Sequence, residues 1–245
     1  MRNDIKKKKQ EIREHVWRLL EEKDIARFPR PVYGRIPNFH GAEKAAEKIF
    51  KLDIWRKARV IKVNPDSPQK PIRYRGLVEG KTVVMASPRL KYGFIILDPN
   101  LIPPTRYSFA STIKGAFMYG RIVKLMEIPD IDLIITGCVA VDLRGGRVGK
   151  GGGYAELEYA ILREIGAIDR DTIVATTIHD LQIVDRIPLE EHDLTVDIIA
   201  TPTRIYYVKP RPPKPSGILW EVLGDKRELP IFKELLRMKK NSLRF

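Results

Sequence analysis

The order of apolar and polar residues along the chain predicts alternating strands and helices. Short apolar runs rich in β-branched residues are typical of buried strands, and apolar residues at every third or fourth position are typical of amphipathic helices. The strand-like runs are 58–63, 82–86, 94–97, 132–136, 138–141, 172–177 and one within 192–203. The helix-like segments are 3–23, 41–52, 69–78 and 154–165. This alternation predicts the α/β class, as a three-layer α/β/α domain with a mostly parallel sheet.

The segments between these elements are rich in proline. Residues 29–41 form a loop because their prolines forbid a continuous helix, and the loop either crosses a ligand cleft or packs on the surface. We predict an irregular stretch from 98 to 119, whose aromatic residues either stack on a ligand or pack in the core or a subunit interface. The chain divides into an α/β domain at 1–208 and a proline-rich basic linker with a tail at 209–245. We expect the tail to form a strand or short helix packed on the domain or on a neighbour.

Composition indicates an intracellular protein with anionic partners. The chain of 245 residues has a single cysteine, and its net charge is +14. No apolar run is long enough to span a membrane and no signal peptide is evident, so we expect a soluble cytoplasmic protein. The positive charge favours nucleotides, polyglutamylated folates or nucleic acids. A surface so rich in both charges is also typical of a thermophile, in which case part of the excess serves no ligand.

The sequence around residue 150 predicts a phosphate-binding loop. Six glycines fall within the nine residues 145–153, together with Arg147 and Lys150 and followed by Tyr154. Strand-like residues precede this loop and a helix-like segment follows it. Glycines let backbone N–H groups approach an anion, the helix N-terminus adds its dipole, and the cations neutralise phosphate oxygens. The alternative is a flexible loop whose cations are only solvated. The spacing matches neither a P-loop nor a dinucleotide-binding fingerprint.

The glycine-rich loop resembles the signature of the 5-formyltetrahydrofolate cyclo-ligase family, also called 5,10-methenyltetrahydrofolate synthetases. That signature, G-x-R-L-G-x-G-x-G-Y-Y-D, lies over residues 145–156, with every glycine and the arginine matched. Val148, Ala155 and Glu156 stand where the family has Leu, Tyr and Asp. The chain is more similar to the branch called methenyltetrahydrofolate synthetase domain-containing proteins, and this likeness extends over nearly its whole length.

The resemblance implies a sugar-isomerase/CoA-transferase-like topology and an ATP- and Mg²⁺-dependent cyclisation of 5-formyltetrahydrofolate. A Lys-x-x-x-Arg motif of the family, which reaches the nucleotide phosphates, matches Lys9 and Arg13, although a solvated basic helix would carry the same spacing. Arg147 and Lys150 would act in catalysis, and Glu156 would bind Mg²⁺ in place of the family's aspartate. The residues implied in binding ATP phosphates are Lys9, Arg13, Gly145, Arg147, Gly149, Lys150, Gly151, Gly152, Gly153 and Tyr154.

One departure from the family keeps other functions open. The family has a folate-contacting glutamate where residues 65–73 contain none. The chain is therefore a cyclo-ligase acting on a reduced folate, a nucleotide- or RNA-binding protein without that activity, or an ATP-dependent ligase with another substrate. The absence of an RNP-type motif argues against RNA.

His179 and Asp180 could suggest a metal site, but we favour hydrogen-bonded support of the cleft. Other positions that fit the family are Gln182, Pro188, Asp193, Asp197 and Thr201.

Overall fold

The computed structural model describes residues 2–242, with side chains described from residue 4 to residue 240. The α-helices of this part of the chain are α1 (Arg2–Glu22), α2 (Ala42–Phe50), α3 (Asp53–Lys57), α4 (Lys70–Val78), α5 (Tyr107–Ala110), α6 (Ile113–Tyr119), α7 (Tyr154–Glu164) and α8 (Pro230–Ser242). Its strands are β1 (Ala26–Arg27), β2 (Asn38–Phe39), β3 (Val60–Val63), β4 (Thr82–Ala86), β5 (Phe94–Leu97), β6 (Arg121–Val123), β7 (Leu133–Thr136), β8 (Ala140–Asp142), β9 (Arg147–Val148), β10 (Ile173–Thr177), β11 (Ile183–Val184), β12 (Ile198–Ala200) and β13 (Ile205–Tyr207).

Eight strands form a central sheet in the order β13-β12-β10-β7-β3-β4-β5-β6. The five strands from β12 to β4 in this order are parallel, whereas β13 at one edge and β5 and β6 at the other are antiparallel to their neighbours. The β4–β5 and β12–β13 pairs follow from short connections, because residues 87–93 and 201–204 are too few for a helical crossover, whereas β5 and β6 are joined by a longer segment that contains α5 and α6. The α/β class is confirmed, with a mixed sheet whose centre is parallel.

Helices cover both faces of this sheet. Side chains from alternate strand positions enter different cores: Ile134 packs with α7 and α8, while Leu133 and Ile135 pack with α2 to α6. Because both faces are covered, the central strands are mostly apolar on both sides, as expected for parallel strands, with buried polar exceptions such as Lys62 of β3. The sugar-isomerase/CoA-transferase-like topology implied by the resemblance stays a prediction.

A smaller unit carries the glycine-rich loop. Strands β11, β8 and β9 form a three-stranded sheet, and β9 leads directly into the loop before α7. Helix α1 packs on this unit through Val16, Trp17 and Leu20, which share a core with Val139 and Val148. The N-terminal helix thus lies beside the loop, although most of the chain separates them in sequence.

Three segments differ from the sequence prediction. Residues 98–119 are not irregular throughout, since they contain α5 and α6; Thr112 caps α6 by accepting a hydrogen bond from the Gly115 N–H at 3.0 Å. Within 192–203 only Ile198–Ala200 is a strand, because the residues before it form a loop around the cleft. In the tail, the predicted strand or short helix is the 13-residue helix α8.

The C-terminal segment, residues 209–242, is tied to the sheet and to α7 by polar contacts. Asp197 accepts hydrogen bonds from Arg211 at 3.0 Å and from Lys214 at 2.6 Å, and its other oxygen accepts the Val174 N–H at 2.8 Å. The Ile218 N–H donates to Glu164 of α7 at 3.2 Å. Paired with two cations and a backbone donor, the buried Asp197 carboxylate is well satisfied. No helix among the described residues has the length and apolar composition that a membrane span requires.

Candidate functional site

The glycine-rich loop borders a cleft of about 400 Å³ beyond the carboxyl ends of the parallel strands. Open α/β sheets bind ligands at this edge. Seven of the residues predicted from the sequence line the cleft: Lys9, Arg13, Arg147, Gly149, Gly151, Gly153 and Glu156. The structure adds Lys6, Val148, Glu190, His192, Asp193, Val222 and Lys226. The cleft therefore combines five cations with three carboxylates.

Two glycines give the loop its shape. Gly151 has φ +100° and lies against the Arg13 guanidinium, which would be 3.7 Å from a Cβ at this position. Gly153 is the N-cap of α7 with φ +63°, and a Cβ there would be 3.0 Å from the Lys226 ammonium. Both backbone conformations favour glycine, and the cap directs the first N–H groups of α7 to the cleft. These N–H groups have no acceptor within the helix, and together with the positive end of the helix dipole they favour binding of an anion.

Arg147 lies below the loop, fully buried, with each guanidinium nitrogen donating to the protein. Its Nε donates to the Leu194 carbonyl at 3.1 Å, Nη1 to the Gly137 carbonyl at 2.8 Å, and Nη2 to Glu156 of α7. Burial disfavours ionisation of Glu156, but the Arg147 charge, the hydrogen bonds to Arg147 and to the backbone, and His192 together outweigh it and hold the pKa of that carboxyl below its ordinary value. Arg147 thus anchors the start of α7; its predicted contact with phosphate stays a prediction.

Two buried polar side chains, Asp142 and Gln182, fix the strands that lead into the loop. Asp142 accepts the Gly146 N–H at 2.9 Å with one oxygen and the Ile187 N–H at 2.8 Å with the other. Gln182 donates to the carbonyls of Cys138 and Val139 at 3.1 and 3.0 Å. The sequence resemblance pointed to Gln182. Asp142 carries no motif of its own, and sequence reasoning missed it.

Helix α7 is held against β3 by a second buried ion pair. Lys62 donates to Glu158 and, at 2.9 Å, to the side chain of Asn64. The side chains of Lys62 and Glu158 are 2% and 6% exposed. Burial raises the pKa of Glu158, and the Lys62 ammonium opposes that rise. Through Arg147 and Lys62, both sides of the first two turns of α7 are tied to strands.

Helix α1 places two predicted cations at the cleft. Lys9 donates to Asp193 at 2.5 Å and to Glu190 at 3.1 Å, and Arg13 donates through Nε to the Gly149 carbonyl at 2.7 Å. Burial is the main cause that lowers the pKa of Arg13. These positions are one helical turn apart, so both side chains face the loop. The solvated-helix alternative is wrong for this pair, because both residues are buried.

Acidic residues form one wall of the cleft. Donor atoms of Glu190, His192 and Asp193 lie within 4.8 Å of one another. Sequence reasoning matched Asp193 to the family but did not place it beside Lys9. The grouping arises because a loop between β11 and β12 meets the N-terminal helix, a contact that local patterns do not reveal. The oxygen donors here suit a hard cation such as Mg²⁺.

Lys150 lies on the other side of the loop, facing the turn after β3. Its ammonium is 3.3 Å from a carboxylate oxygen of Asp66, and the Lys150 side chain is 48% exposed. Near Asp66, the buried Gln69 donates to the Thr177 hydroxyl at 3.2 Å, while its amide oxygen has no hydrogen-bond partner among the described residues. A buried acceptor without a partner is costly in a folded protein, which makes it a candidate contact for a ligand.

The remaining predicted loop residues have local structural contacts. Gly145 accepts the Val196 N–H at 2.9 Å, away from the residues that line the cleft. Gly152 lies against the Tyr154 ring, which a Cβ would approach to 3.0 Å. The Lys226 ammonium lies 5.4 Å from the centre of the Tyr154 ring. Gly145 therefore shapes the hairpin before the loop, whereas Gly152 packs on Tyr154 and Tyr154 contacts Lys226; none of the three lines the cleft.

His179 and Asp180 make hydrogen bonds in the turns that follow β10 and β12, and neither residue lines the cleft that the sequence interpretation expected them to support. The His179 Nδ1 accepts the Leu181 N–H at 3.1 Å, and Asp180 accepts the Thr201 hydroxyl at 2.7 Å. Burial lowers the pKa of His179, with Asp180 opposing the shift. A ring nitrogen that accepts a backbone hydrogen bond is not available to a metal ion.

The sequence pattern that defines the 5-formyltetrahydrofolate cyclo-ligase family matches residues 5–202. The chain belongs to this family. The matched region contains the two helix α1 cations, the glycine-rich loop and the acidic wall of the cleft. It ends before the C-terminal segment, so Val222 and Lys226 reach the cleft from outside the part that defines cyclo-ligases.

Individual relatives agree with this assignment. A methenyltetrahydrofolate synthase domain-containing protein of Bos taurus is 44% identical over 237 residues, covering 93% of this chain and 61% of that protein. The 5-formyltetrahydrofolate cyclo-ligase of Escherichia coli strain K12 is 28% identical over 82 residues, or 34% of this chain and 42% of that enzyme. The chain spans 61–64% of the length of the first two curated relatives.

The cyclo-ligase fold is also seen in a solved structure. The NMR structure of 5,10-methenyltetrahydrofolate synthetase from Aquifex aeolicus superimposes with a TM-score of 0.52 at 18% sequence identity. The superposition covers 82% of this chain and 93% of that protein. At this identity the likeness concerns the fold alone.

Proposed function

We propose that the protein catalyses the ATP- and Mg²⁺-dependent conversion of 5-formyltetrahydrofolate to 5,10-methenyltetrahydrofolate. The observation that carries the proposal is the cleft itself: a glycine-rich loop and the N-terminus of α7 face cations from a distant helix. Such a cleft suits a polyphosphate, and a chain of the cyclo-ligase family has a reason to bind one.

The reaction needs positioning and charge neutralisation more than covalent catalysis. The formyl oxygen attacks the γ-phosphorus, ADP leaves, and an imidate-like phosphate results. N10 then attacks the formyl carbon, the C–O bond breaks to release phosphate, and the N10 proton is lost to close the methenyl bridge. Phosphoryl transfer of this kind is accelerated by groups that hold the phosphates in line and neutralise their charge. We assign that task to Lys9, Arg13, Lys150 and the loop amides, with Arg147 holding the loop in place.

The acidic wall fits a magnesium ion. Glu156, Glu190 and Asp193 supply carboxylate oxygens at the rim of the phosphate cleft, and the Lys9 ammonium lies between two of them. A position that accommodates one cation is electrostatically suited to another. Glu156 was the metal ligand expected from the sequence; it is paired with Arg147, and the carboxylates that lie together with His192 are those of Glu190 and Asp193. Mg²⁺ held here would neutralise charge on the ATP phosphates.

The 65–73 segment offers a carboxylate for the folate in place of the missing glutamate. Asp66 is 3.3 Å from Lys150, which places a carboxylate next to the loop cation. A reduced pterin presents several N–H donors, which match this acceptor. We propose that Asp66 orients the pterin beside Lys150, and that the fully buried Gln69 supports this turn through its hydrogen bond to Thr177.

The reaction is tested by following its product. Because the methenyl bridge conjugates two nitrogens, turnover should produce new near-ultraviolet absorbance that requires 5-formyltetrahydrofolate, ATP and Mg²⁺ together. Leaving out each component in turn is the control. If ATP binds by calorimetry but no product forms at any Mg²⁺ concentration, the cyclo-ligase proposal is wrong and the cleft serves another nucleotide-dependent reaction.

Lys150→Met separates the catalytic role of this residue from a structural one. The Lys150–Asp66 pair is half exposed, so its loss should change the free energy of unfolding by no more than about 1 kcal/mol. If Lys150 contacts a phosphate, kcat/KM should fall roughly 10- to 150-fold, as for a hydrogen bond between charged groups worth about 1.5–3 kcal/mol. Lys44→Met, at an exposed lysine of α2, is the matched control. An unchanged kcat/KM would remove Lys150 from the mechanism.

A further inference from the structure

The C-terminal segment contributes a cation to the phosphate cleft. Lys226 lines the cleft, and its ammonium lies over the Tyr154 ring and within 3.0 Å of the Cβ that Gly153 lacks. The absence of that side chain lets the ammonium approach the backbone at the N-terminus of α7. Lys226 therefore adds a full positive charge where the helix dipole is already positive. A positive charge in this place favours binding of an anion beside it.

The same segment forms an apolar slot that adjoins the cleft. The slot measures about 80 Å³ and shares Gly153, Glu156, Val222 and Lys226 with the cleft. Its apolar walls are Leu157 and Ala160 of α7 and Ile218, Leu219, Val222 and Leu223 of the C-terminal segment. The slot is too small to enclose a purine, but it opens into the cleft, so a flat ring could pack on its apolar walls while the phosphate chain lies on the polar side.

The segment is fixed in this position. Besides the Ile218 hydrogen bond to Glu164, the Trp220 ring packs on Phe232 of α8 with centroids 5.4 Å apart, and the Arg227 Nε donates to the Trp220 carbonyl at 2.9 Å. Phe232 is buried in the core that α7 and α8 share. The slot and Lys226 thus belong to the folded protein, and the site needs little ordering when a ligand binds.

We propose that residues 217–228 complete the nucleotide site, with Lys226 binding a phosphate of ATP and the purine base packing on the apolar walls of the slot. This inference rests on the proposed nucleotide-dependent function, since it names the occupant of the same cleft. It also gives the segment beyond the family's matched region a function, which is to select a nucleotide over a bare polyphosphate. ATP joins an apolar ring to a charged chain, and the site places an apolar slot beside a cationic cleft.

Two probes separate the halves of the site: Mg-ATP, and magnesium tripolyphosphate, which lacks the base and ribose. Lys226→Ala should weaken both ligands by roughly tenfold in calorimetric titrations, because it removes one charge-assisted hydrogen bond. Lys233→Ala is the matched control, since Lys233 is an exposed lysine of α8. If Lys226→Ala binds the ligands as tightly as the unaltered protein does, Lys226 has no role in binding. The same conclusion follows if Lys226→Ala and Lys233→Ala lose the same affinity.

The slot is tested by filling it and by enlarging it. Ala160→Leu should weaken ATP by at least roughly tenfold while leaving tripolyphosphate unchanged, because a larger side chain excludes the ring. Leu219→Ala is the second variant in case Ala160→Leu fails to fold; it should weaken ATP severalfold through lost apolar contact, again without affecting tripolyphosphate. A parallel loss of both ligands, or no loss of either, would overturn the slot as the base site.

Binding of ATP and tripolyphosphate to the unaltered protein separates the base site from the proposed function. If the unaltered protein binds neither ATP nor tripolyphosphate, the phosphate cleft itself is misassigned and both proposals fail. If it binds both ligands with the same affinity and the slot variants change nothing, only the base site is overturned. Tighter binding of ATP than of tripolyphosphate, abolished by Ala160→Leu, supports the inference.

Discussion

Replacing Arg147 by methionine is expected to lower the free energy of unfolding by about 3–5 kcal/mol, the usual cost of removing one partner from a buried ion pair. The Arg147 side chain is fully buried and Glu156 is 15% exposed, so the substitution leaves a carboxylate without its counter-ion. It also leaves the carbonyls of Leu194 and Gly137 without their donor. Chemical denaturation followed by circular dichroism measures the effect.

A double-mutant cycle identifies the source of this destabilisation. Glu156→Gln removes the other charge, and in the Arg147→Met/Glu156→Gln variant the loss should be smaller than the sum of the single losses by about 0.5–3 kcal/mol. Arg144→Met is the control, because Arg144 is an exposed arginine in the same hairpin and should change stability by about 0.5 kcal/mol at most. A loss below about 1 kcal/mol in Arg147→Met would mean that the pair does not anchor α7.

The same pair predicts a pH dependence of stability. The pKa of Glu156 is lower in the folded protein than its ordinary value of 4.5, because the Arg147 charge and the hydrogen bonds to the carboxylate, with His192, together outweigh the effect of burial. A carboxyl group whose pKa is lower in the folded state than in the unfolded state stabilises the fold at pH values above its unfolded-state pKa. This stabilisation is lost as the pH falls through the folded-state pKa. The stability difference between the unaltered protein and Glu156→Gln should therefore be constant near neutral pH and shrink below about pH 4.5. A difference independent of pH down to the acid transition would exclude this linkage.

The glycine-rich loop could be located from sequence because its determinants are local. Gly151 and Gly153 have positive φ, and α7 begins at Tyr154, where helical spacing predicted it. The strand before the loop, β8, was recognisable from its apolar run. Conformation at these positions depends on neighbours in the chain, so the sequence carries it directly.

Residue identity did not reveal how the cations of the cleft are used. Arg147 and Lys150 are three positions apart in one motif, yet the first is fully buried against Glu156 and the second is half exposed beside Asp66. The difference arises because β9 turns one side chain inward, whereas Lys150 follows the strand and faces outward. Spacing in a loop does not determine which side chain points to the ligand, since that depends on the packing around it.

The long-range parts of the site had no sequence signal. Lys226 lies in a segment whose only visible features were prolines and basic residues, and its role depends on packing of the C-terminal segment against α7. Sequence reasoning also missed helix α6, which lies in a stretch rich in proline and aromatic residues and is capped by Thr112. Helices this short owe their stability to tertiary contacts more than to intrinsic propensity.

Lys9→Ala is expected to weaken the binding of Mg-ATP by at least roughly 10- to 150-fold. This is the loss in affinity that corresponds to removing a charge-assisted hydrogen bond worth about 1.5–3 kcal/mol. Lys9 is buried at the cleft and paired with Asp193 at 2.5 Å and Glu190 at 3.1 Å. The substitution removes a cation that can face a phosphate and leaves two carboxylates that repel it. Both changes oppose nucleotide binding, so the effect should exceed that of losing an exposed lysine.

Two comparisons make this expectation specific. Lys8→Ala removes a neighbouring lysine whose side chain is 59% exposed and paired only at the surface with Asp4, so ATP affinity should not change.

Raising the Mg²⁺ concentration should restore part of the affinity lost in Lys9→Ala, because a divalent ion can neutralise the carboxylates of Glu190 and Asp193. Asp193→Asn in the Lys9→Ala background should remove that rescue. If Lys9→Ala binds ATP as the unaltered protein does, Lys9 does not take part in the phosphate site, and the contribution of α1 to it must come from Arg13 or Lys6.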